Sequence, residues 1–409
     1  MITWRSRLAA RLACIALWLH AAPAAAGTLA DLPRLFKDAH YRFFPVPIVA
    51  TDPAEGQTYG LLPVVTANDA QDNVISIMAA ALQYNSIIQF NGFGIWILTP
   101  SADEELRLFG GAATKFYREA SIDYVNSGLI NHRLRVEAHG LYIEDPFERF
   151  FGFGPDRPKD AESNFTSLLG RIWGEVAFEI APHVALVGQL DWARLGLQPR
   201  AIDALADTVT TYGALPEVAD SHQISYRAGL RWDSRDSTFF PTRGALVSLL
   251  GTISHQLTGP DTPFGGVELR SKAAWQPQRR VTLVGNLWFQ QLLGDQIPFF
   301  HQSHLGGERN LRGFISRRFT DHGAALLELE ARVLIKEWRI FDTPVSFSID
   351  PFCGAGQVFH RLRDIAPHHF EPAGGVGFRM RAPPSVLGRI DVGYTRDGVA
   401  VYTTLDYPF

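Results

Sequence analysis

Leu327-Glu328-Leu329-Glu330-Ala331-Arg332-Val333-Leu334-Ile335-Lys336 is the stretch that decides the fold. Odd positions are apolar throughout, and even positions are charged except at Leu334. Successive side chains of a β-strand face opposite sides, so this period of two reads as a strand with one apolar and one ionic face. The pattern recurs upstream. Ile224, Tyr226, Ala228, Leu230 and Trp232 oppose Ser225, Arg227, Gly229, Arg231 and Asp233. Val267, Leu269, Ala273 and Trp275 oppose Glu268, Arg270 and Lys272, and Leu134, Val136, Ala138 and Tyr142 oppose Arg133, Arg135, Glu137 and His139. Ile172, Val176, Phe178 and Ile180 oppose Arg171, Glu175 and Glu179. Such runs are roughly twice the usual soluble strand and match the ~9–11 residues that cross a bilayer. The apolar parity then faces lipid, the ionic parity lines a wet lumen, and closure of the sheet pairs every backbone group.

Composition agrees. The chain has 409 residues, of which 46% are hydrophobic, 12% aromatic and 20% charged, the opposite of a disordered chain. Beyond residue 26 the longest apolar run is Val74–Leu82, interrupted by Ser76 and far short of the ~20 residues of a spanning helix. A net charge of −4 excludes the electrostatic footprint of a nucleic-acid binder, and two cysteines exclude a disulfide scaffold. At the amino end, Arg5, Arg7 and Arg11 precede the short apolar core Leu12–Leu19, and Ala24-Ala25-Ala26 offers a cleavage site. Residues 1–26 therefore read as a secretory signal peptide. Residues 27–43 read as a short segment in which Leu29, Leu32, Leu35 and Phe36 share a helical face, and residues 44–409 as the barrel. Export without a spanning helix leaves a large secreted β protein or an outer-membrane barrel, and the alternation favours the barrel.

The expectation is an all-β, transmembrane antiparallel barrel of 16 strands, near 56–66, 74–83, 87–98, 104–114, 132–144, 163–180, 183–197, 221–233, 243–257, 264–276, 280–292, 322–337, 343–357, 370–382, 386–396 and 398–409. Short turns at Ala181-Pro182, Pro277–Arg279 and Pro383–Ser385 alternate with long connections at 145–162, 198–220 and 293–321. That is the asymmetry of outer-membrane barrels. The stretch 115–131 fits neither class and leaves fourteen or eighteen strands open. Val399, Val401, Leu405, Tyr407 and Phe409 share a parity, and the chain ends on an aromatic suited to a membrane interface.

Several motifs then resemble one family. Asp233-Ser234-Arg235-Asp236 followed by Phe239–Gly244, the segment Phe150–Gly154, the segment Gly354–Val358 and the tetrad Leu311-Arg312-Gly313-Phe314 are similar to motifs of BamA-like and TamA-like assembly barrels, the bacterial surface-antigen family. The resemblance runs from about Phe44 to Phe409. It implies that the loop carrying the tetrad folds into the lumen and that Arg312 pairs with acidic wall residues. Glu330 falls at one partner position. The second, usually an aspartate, reads Gly354 here, and Asp350 is the candidate substitute. The resemblance also implies a lateral seam between the first and last strands, near 56–66 and 398–409. Gly60, Tyr407, Pro408 and Phe409 lie there, and Gly60 and Pro408 weaken a ladder. Residues 27–43 are too short for the periplasmic receptor modules of that family, so delivery of substrate would fall to a separate periplasmic protein.

No nucleophile elbow, phosphate loop or dinucleotide fingerprint is present. His301, His304, His368 and His369 fall in outer loops and read as solvated, and Glu175, Glu179, Glu328 and Glu330 read as a hydrated lumen wall. The expectation is therefore no enzyme, no cofactor and no metal. The expected partners are outer-membrane lipid and an outer-membrane-protein or lipid-linked client. The expected function is assembly or translocation through the seam; alternatively, the chain is a passive pore or structural barrel.

Overall fold

The computed structural model describes residues 35–404, except 203, 239, 259–261, 341–342 and 383–385. The signal peptide, residues 27–34 of the 27–43 segment, and Tyr407, Pro408 and Phe409 lie outside the described residues.

Eighteen strands run up and down in chain order. The first nine are β1 (His40–Asp52), β2 (Gly56–Asn68), β3 (Val74–Asn85), β4 (Gln89–Ser101), β5 (Glu104–Ala113), β6 (Arg118–Gly128), β7 (Leu134–Phe150), β8 (Ser163–Ala181) and β9 (Val184–Gln198). The second nine are β10 (Ser221–Asp233), β11 (Gly244–Gln256), β12 (Phe264–Gln278), β13 (Val281–Leu293), β14 (Gly323–Ile340), β15 (Thr343–Phe359), β16 (Glu371–Ala382), β17 (Val386–Thr395) and β18 (Gly398–Thr404). Each pairs antiparallel with the next, and a two-residue strand at Ala206–Asp207 adds a parallel bridge to β8. β1 and β18 lie side by side, which brings the sheet to a nearly closed barrel. Among the described residues no ladder joins them.

The burial pattern inverts that of a soluble protein. Leu327 and Leu329 are 50% and 52% exposed, whereas Glu328 and Glu330 between them are each 3% exposed. Tyr226, Leu230, Trp232, Val267 and Trp275 also point outward, and Glu175 and Glu268 point in. An apolar exterior around an ionic interior is the arrangement lipid requires.

The expected count of sixteen is corrected to eighteen. One missing strand is β1, which shifts the barrel's start from residue 44 to His40. Pro45 and Pro47, with apolar residues on both parities, hide its alternation. The other is β6, within 115–131. Its alternation of Ala120, Ile122 and Tyr124 with Glu119, Ser121 and Asp123 is short, and Asp123 on its inner face is matched by His139 at 2.7 Å. The four longest connections then fall at one end, although 234–243 at the other end is also long and 53–55, 86–88 and 396–397 at the first are short. Residues 151–162, 199–220, 294–322 and 360–370 form one end, and turns such as 102–103, 182–183 and 279–280 form the other.

Candidate functional site: a loop locked into the lumen

The connection from β13 to β14 turns back into the barrel. Ser303–Leu305 pairs with Phe319–Asp321 as a short stem, and residues 306–318 form the tip. Leu311 and Phe314 are fully buried with Leu305, Phe319, Leu326 and Val358, which anchors the tip to the wall. The backbone passes very close to β17. A Cβ on Gly393 would lie 2.6 Å from Gly313 Cα, and Gly313 itself has φ +117°, so glycine is required on both sides. Thr395 Oγ1 donates to Gly313 O at 3.3 Å, and the Tyr402 hydroxyl donates to Phe314 O at 2.5 Å.

Arg312 is held from three directions. Its Nη1 lies 2.9 Å from Glu330 Oε2 on β14 and 3.3 Å from Asp391 Oδ2 on β17. Its guanidinium stacks over Phe352 of β15 at 3.8 Å. Leu311 N donates to Glu328 Oε1 at 2.9 Å. The carboxylates are shared with the wall. Arg332 lies 3.1 Å from Glu330, and Arg379 lies 2.5 Å from Asp391 and 3.5 Å from Glu330. Arg389 bridges Asp391 at 3.6 Å to the loop's Glu308 at 2.8 Å. A guanidinium out of water is stable only with such paired, hydrogen-bonded carboxylates.

The sequence reading needs three corrections here, and the structure explains Gly354. Gly60 is not at the seam; it sits on β2, between Ile48 of β1 and Gln83 of β3. Asp350 lies 3.6 Å from Arg379, while the second carboxylate on Arg312 is Asp391. Gly354 stands opposite Glu328, where a Cβ would come 2.8 Å from Glu328 Cγ, so no aspartate fits. Glu328 and Glu330 are not hydrated; the loop covers them. Arg379, Arg389 and Asp391 were missed. The alternation of Arg389 and Asp391 with Ile390 and Val392 in β17 was the signal that could have found the last two.

The outer mouth is packed as well. Phe150, Phe165, Val218 and Phe299 form one cluster, with Phe150 and Phe299 edge-to-face at 4.8 Å. Arg317 pairs with Glu148 at 2.8 Å, and Arg318 pairs with Asp397 at 2.5 Å and donates to Arg157 O at 2.8 Å. Buried Arg149 donates to Ala54 O at 2.8 Å and pairs with Glu162 at 3.0 Å. His301 and His304 are within this packing rather than solvated; His301 Nε2 meets Ser221 Oγ at 3.0 Å. Burial pushes His301 down to about 4 and His304 down to about 3. Both stay neutral in the closed mouth, while opened loops would take up protons below the ordinary ~6.5. The closed state therefore has its full stability above about pH 7 and loses it as pH falls from about 6.5 toward 4. At pH 5 each histidine should favour opening roughly thirty-fold. Protection factors over 297–305, corrected for the intrinsic pH dependence of exchange, should fall accordingly from pH 7.5 to pH 5, and His301→Gln with His304→Gln should flatten the response. Unchanged protection in the unmodified chain would refute it.

Among the described residues, no group of three or more His, Cys, Asp or Glu is placed to hold a metal ion. An ionic lumen, a lipid-facing apolar belt and a loop clamped inside define a transmembrane β-barrel of the outer-membrane type. Residues 196–395 match the Omp85 superfamily domain. Among solved structures it is similar to BamA from Haemophilus ducreyi lacking POTRA domains 1–3, at 11% identity and TM-score 0.51, covering 92% of this chain and 74% of that one. It is also similar to CdiB from Escherichia coli, at 13% identity and TM-score 0.50, covering 89% of this chain and 66% of that one. At these identities the likeness is one of fold. No curated protein matches the chain.

Proposed function

We propose that this barrel is a non-enzymatic outer-membrane assembly or translocation factor. A client, either an outer-membrane protein or a lipid-linked molecule, engages the lateral seam between β1 and β18, and a separate periplasmic protein delivers it. The observation that carries this reading is the seam. Every other pair of neighbouring strands is joined by a ladder, and among the described residues this pair is not. β1 also carries two prolines. Pro45 stands opposite Pro63, and the β1–β2 register runs through them without a shift. Prolines are tolerated in a ladder where the missing N–H points away from the partner strand. The β2–β3 register does skip Leu62 and Pro63, which fits Pro63 facing β3. Pro45 and Pro47 share a parity, so both remove donors from the edge that faces β18. The packed outer mouth weighs against a freely conducting pore.

Replacing both prolines by valine restores two donors at that edge, each worth about 1 kcal/mol when paired. The double variant should keep its heat-modifiable gel band to a higher temperature and should deliver less client. Delivery is read as outer-membrane protein and lipid composition in a strain lacking the unmodified chain. A stiffer barrel with undiminished delivery would refute seam passage.

A further inference from the structure

We propose that the short-turn end of the lumen is a binding site for a phosphate-bearing ligand, centred on Lys272. A cavity of about 870 Å³ occupies this end, and turn residues 132–133, 182–183 and 233–238 reach it. Eight arginine and lysine side chains line it against four carboxylates. Most of the arginines are already matched: Arg231 holds Glu175 at 2.6 Å and Arg171 holds Asp191 at 2.5 Å.

Among the described residues Arg133, Arg227 and Lys272 are left without an ion-pair partner, and Lys272 has Arg270 and Arg235 beside it. The strongest charges felt by Lys272 come from Arg270, Arg235, Arg309 and Arg332. Arg270 is matched by Glu268 at 2.7 Å, Arg235 by Asp233 at 2.8 Å and Arg332 by Glu330 at 3.1 Å. Among the described residues Lys272 has no such partner. Arg270 and Lys272 lie two apart on the inner face of β12, about 7 Å along the strand. Arg235 and Arg270 line the large cavity with Lys272, which sits half-buried in a recess of its wall.

Like charges held together in a half-buried recess repel unless an anion joins them. A lone carboxylate brings one charge. A phosphate brings close to two on one centre, with oxygens for both a lysine and the free edges of arginine forks. The recess opens to the short-turn end, which is periplasmic in barrels of this kind. The phosphate belongs either to a soluble polyphosphate or to a lipid headgroup.

The test uses the full chain in a phosphate-free maltoside detergent, titrated calorimetrically with inorganic pyrophosphate, with dihexanoyl phosphatidic acid and with a hexaglutamate peptide. Lys272→Gln should weaken phosphate binding at least about tenfold, the loss expected for one charge-assisted contact, while Lys272→Arg stays within about threefold. Pyrophosphate binding identifies a soluble source; phosphatidic acid binding alone identifies a headgroup. The heat-modifiable gel shift reports whether each variant is folded, and Lys272→Arg keeps the test valid if the glutamine variant is not. Three results overturn the proposal: no phosphate compound binds, binding is unchanged in Lys272→Gln, or hexaglutamate binds as tightly as pyrophosphate.

Discussion

Arg312→Ala should release the lumen loop and cost the folded barrel about 3–5 kcal/mol, the range for removing one partner of a buried ion pair. The cost falls on what is left behind. Glu330 and Asp391 are buried and each loses a guanidinium contact, at 2.9 and 3.3 Å. Phe352 loses a stacked cation at 3.8 Å, worth about 1 kcal/mol more. Arg332, Arg379 and Arg389 remain and prevent full exposure of the carboxylates, which bounds the loss from above. Arg312→Lys keeps the charge but not the fork, so it should fall between the two. The readout is the temperature at which the heat-modifiable gel band is lost, expected to drop on the order of 5–10 °C for alanine. Glu330→Gln supplies the second leg of a double-mutant cycle. Arg312→Ala should cost less in that background, because the uncompensated charge is gone. A loss below 1 kcal/mol in the unmodified background would mean that the apolar anchors Leu311 and Phe314 hold the loop alone.

What the sequence revealed follows from which residues carry a period. β14 and β10 state their fold in their own letters, because lipid and lumen demand opposite residues at adjacent positions. β1 does not, because Pro45 and Pro47 interrupt it and both parities are apolar. β6 does not, because its alternation of Ala120, Ile122 and Tyr124 with Glu119, Ser121 and Asp123 is shorter than a membrane crossing. The Arg312 site was legible on the loop and on β14 but not on β17. Asp391 lies 79 residues beyond Arg312. Nothing local marks two residues as facing each other across a lumen, and only the count of strands between them could have done so. With sixteen strands counted instead of eighteen, the seam was also set one strand too far along, at Gly60 rather than at β1.

A disulfide across the corrected seam should abolish function while leaving the barrel folded, which separates it from every destabilising variant. Cys353, free and exposed, must first become serine to prevent mispairing. β1 and β18 lie side by side, and Asp52 is within electrostatic reach of Tyr402, which leaves their register to be tested. Thr51→Cys paired with Thr403→Cys, and with Val401→Cys as a second pair, brackets the register. A cross-link forms only if the Cα atoms come within about 7 Å, so oxidation alone tests the adjacency. Once locked, β1 and β18 cannot part at any temperature the cell meets, whereas a weak ladder missing two donors can. If clients pass through the seam, delivery to the outer membrane should fall at least about tenfold when locked and return on reduction. Val401 and Thr403 flank Tyr402, which holds Phe314 O and stands opposite Asp391, but they lie on the other face of the strand from it, so the loop keeps its contacts and a route through the lumen would not be affected. Full delivery by a completely cross-linked barrel would therefore exclude the seam and leave a pore or a scaffold as the function of this fold.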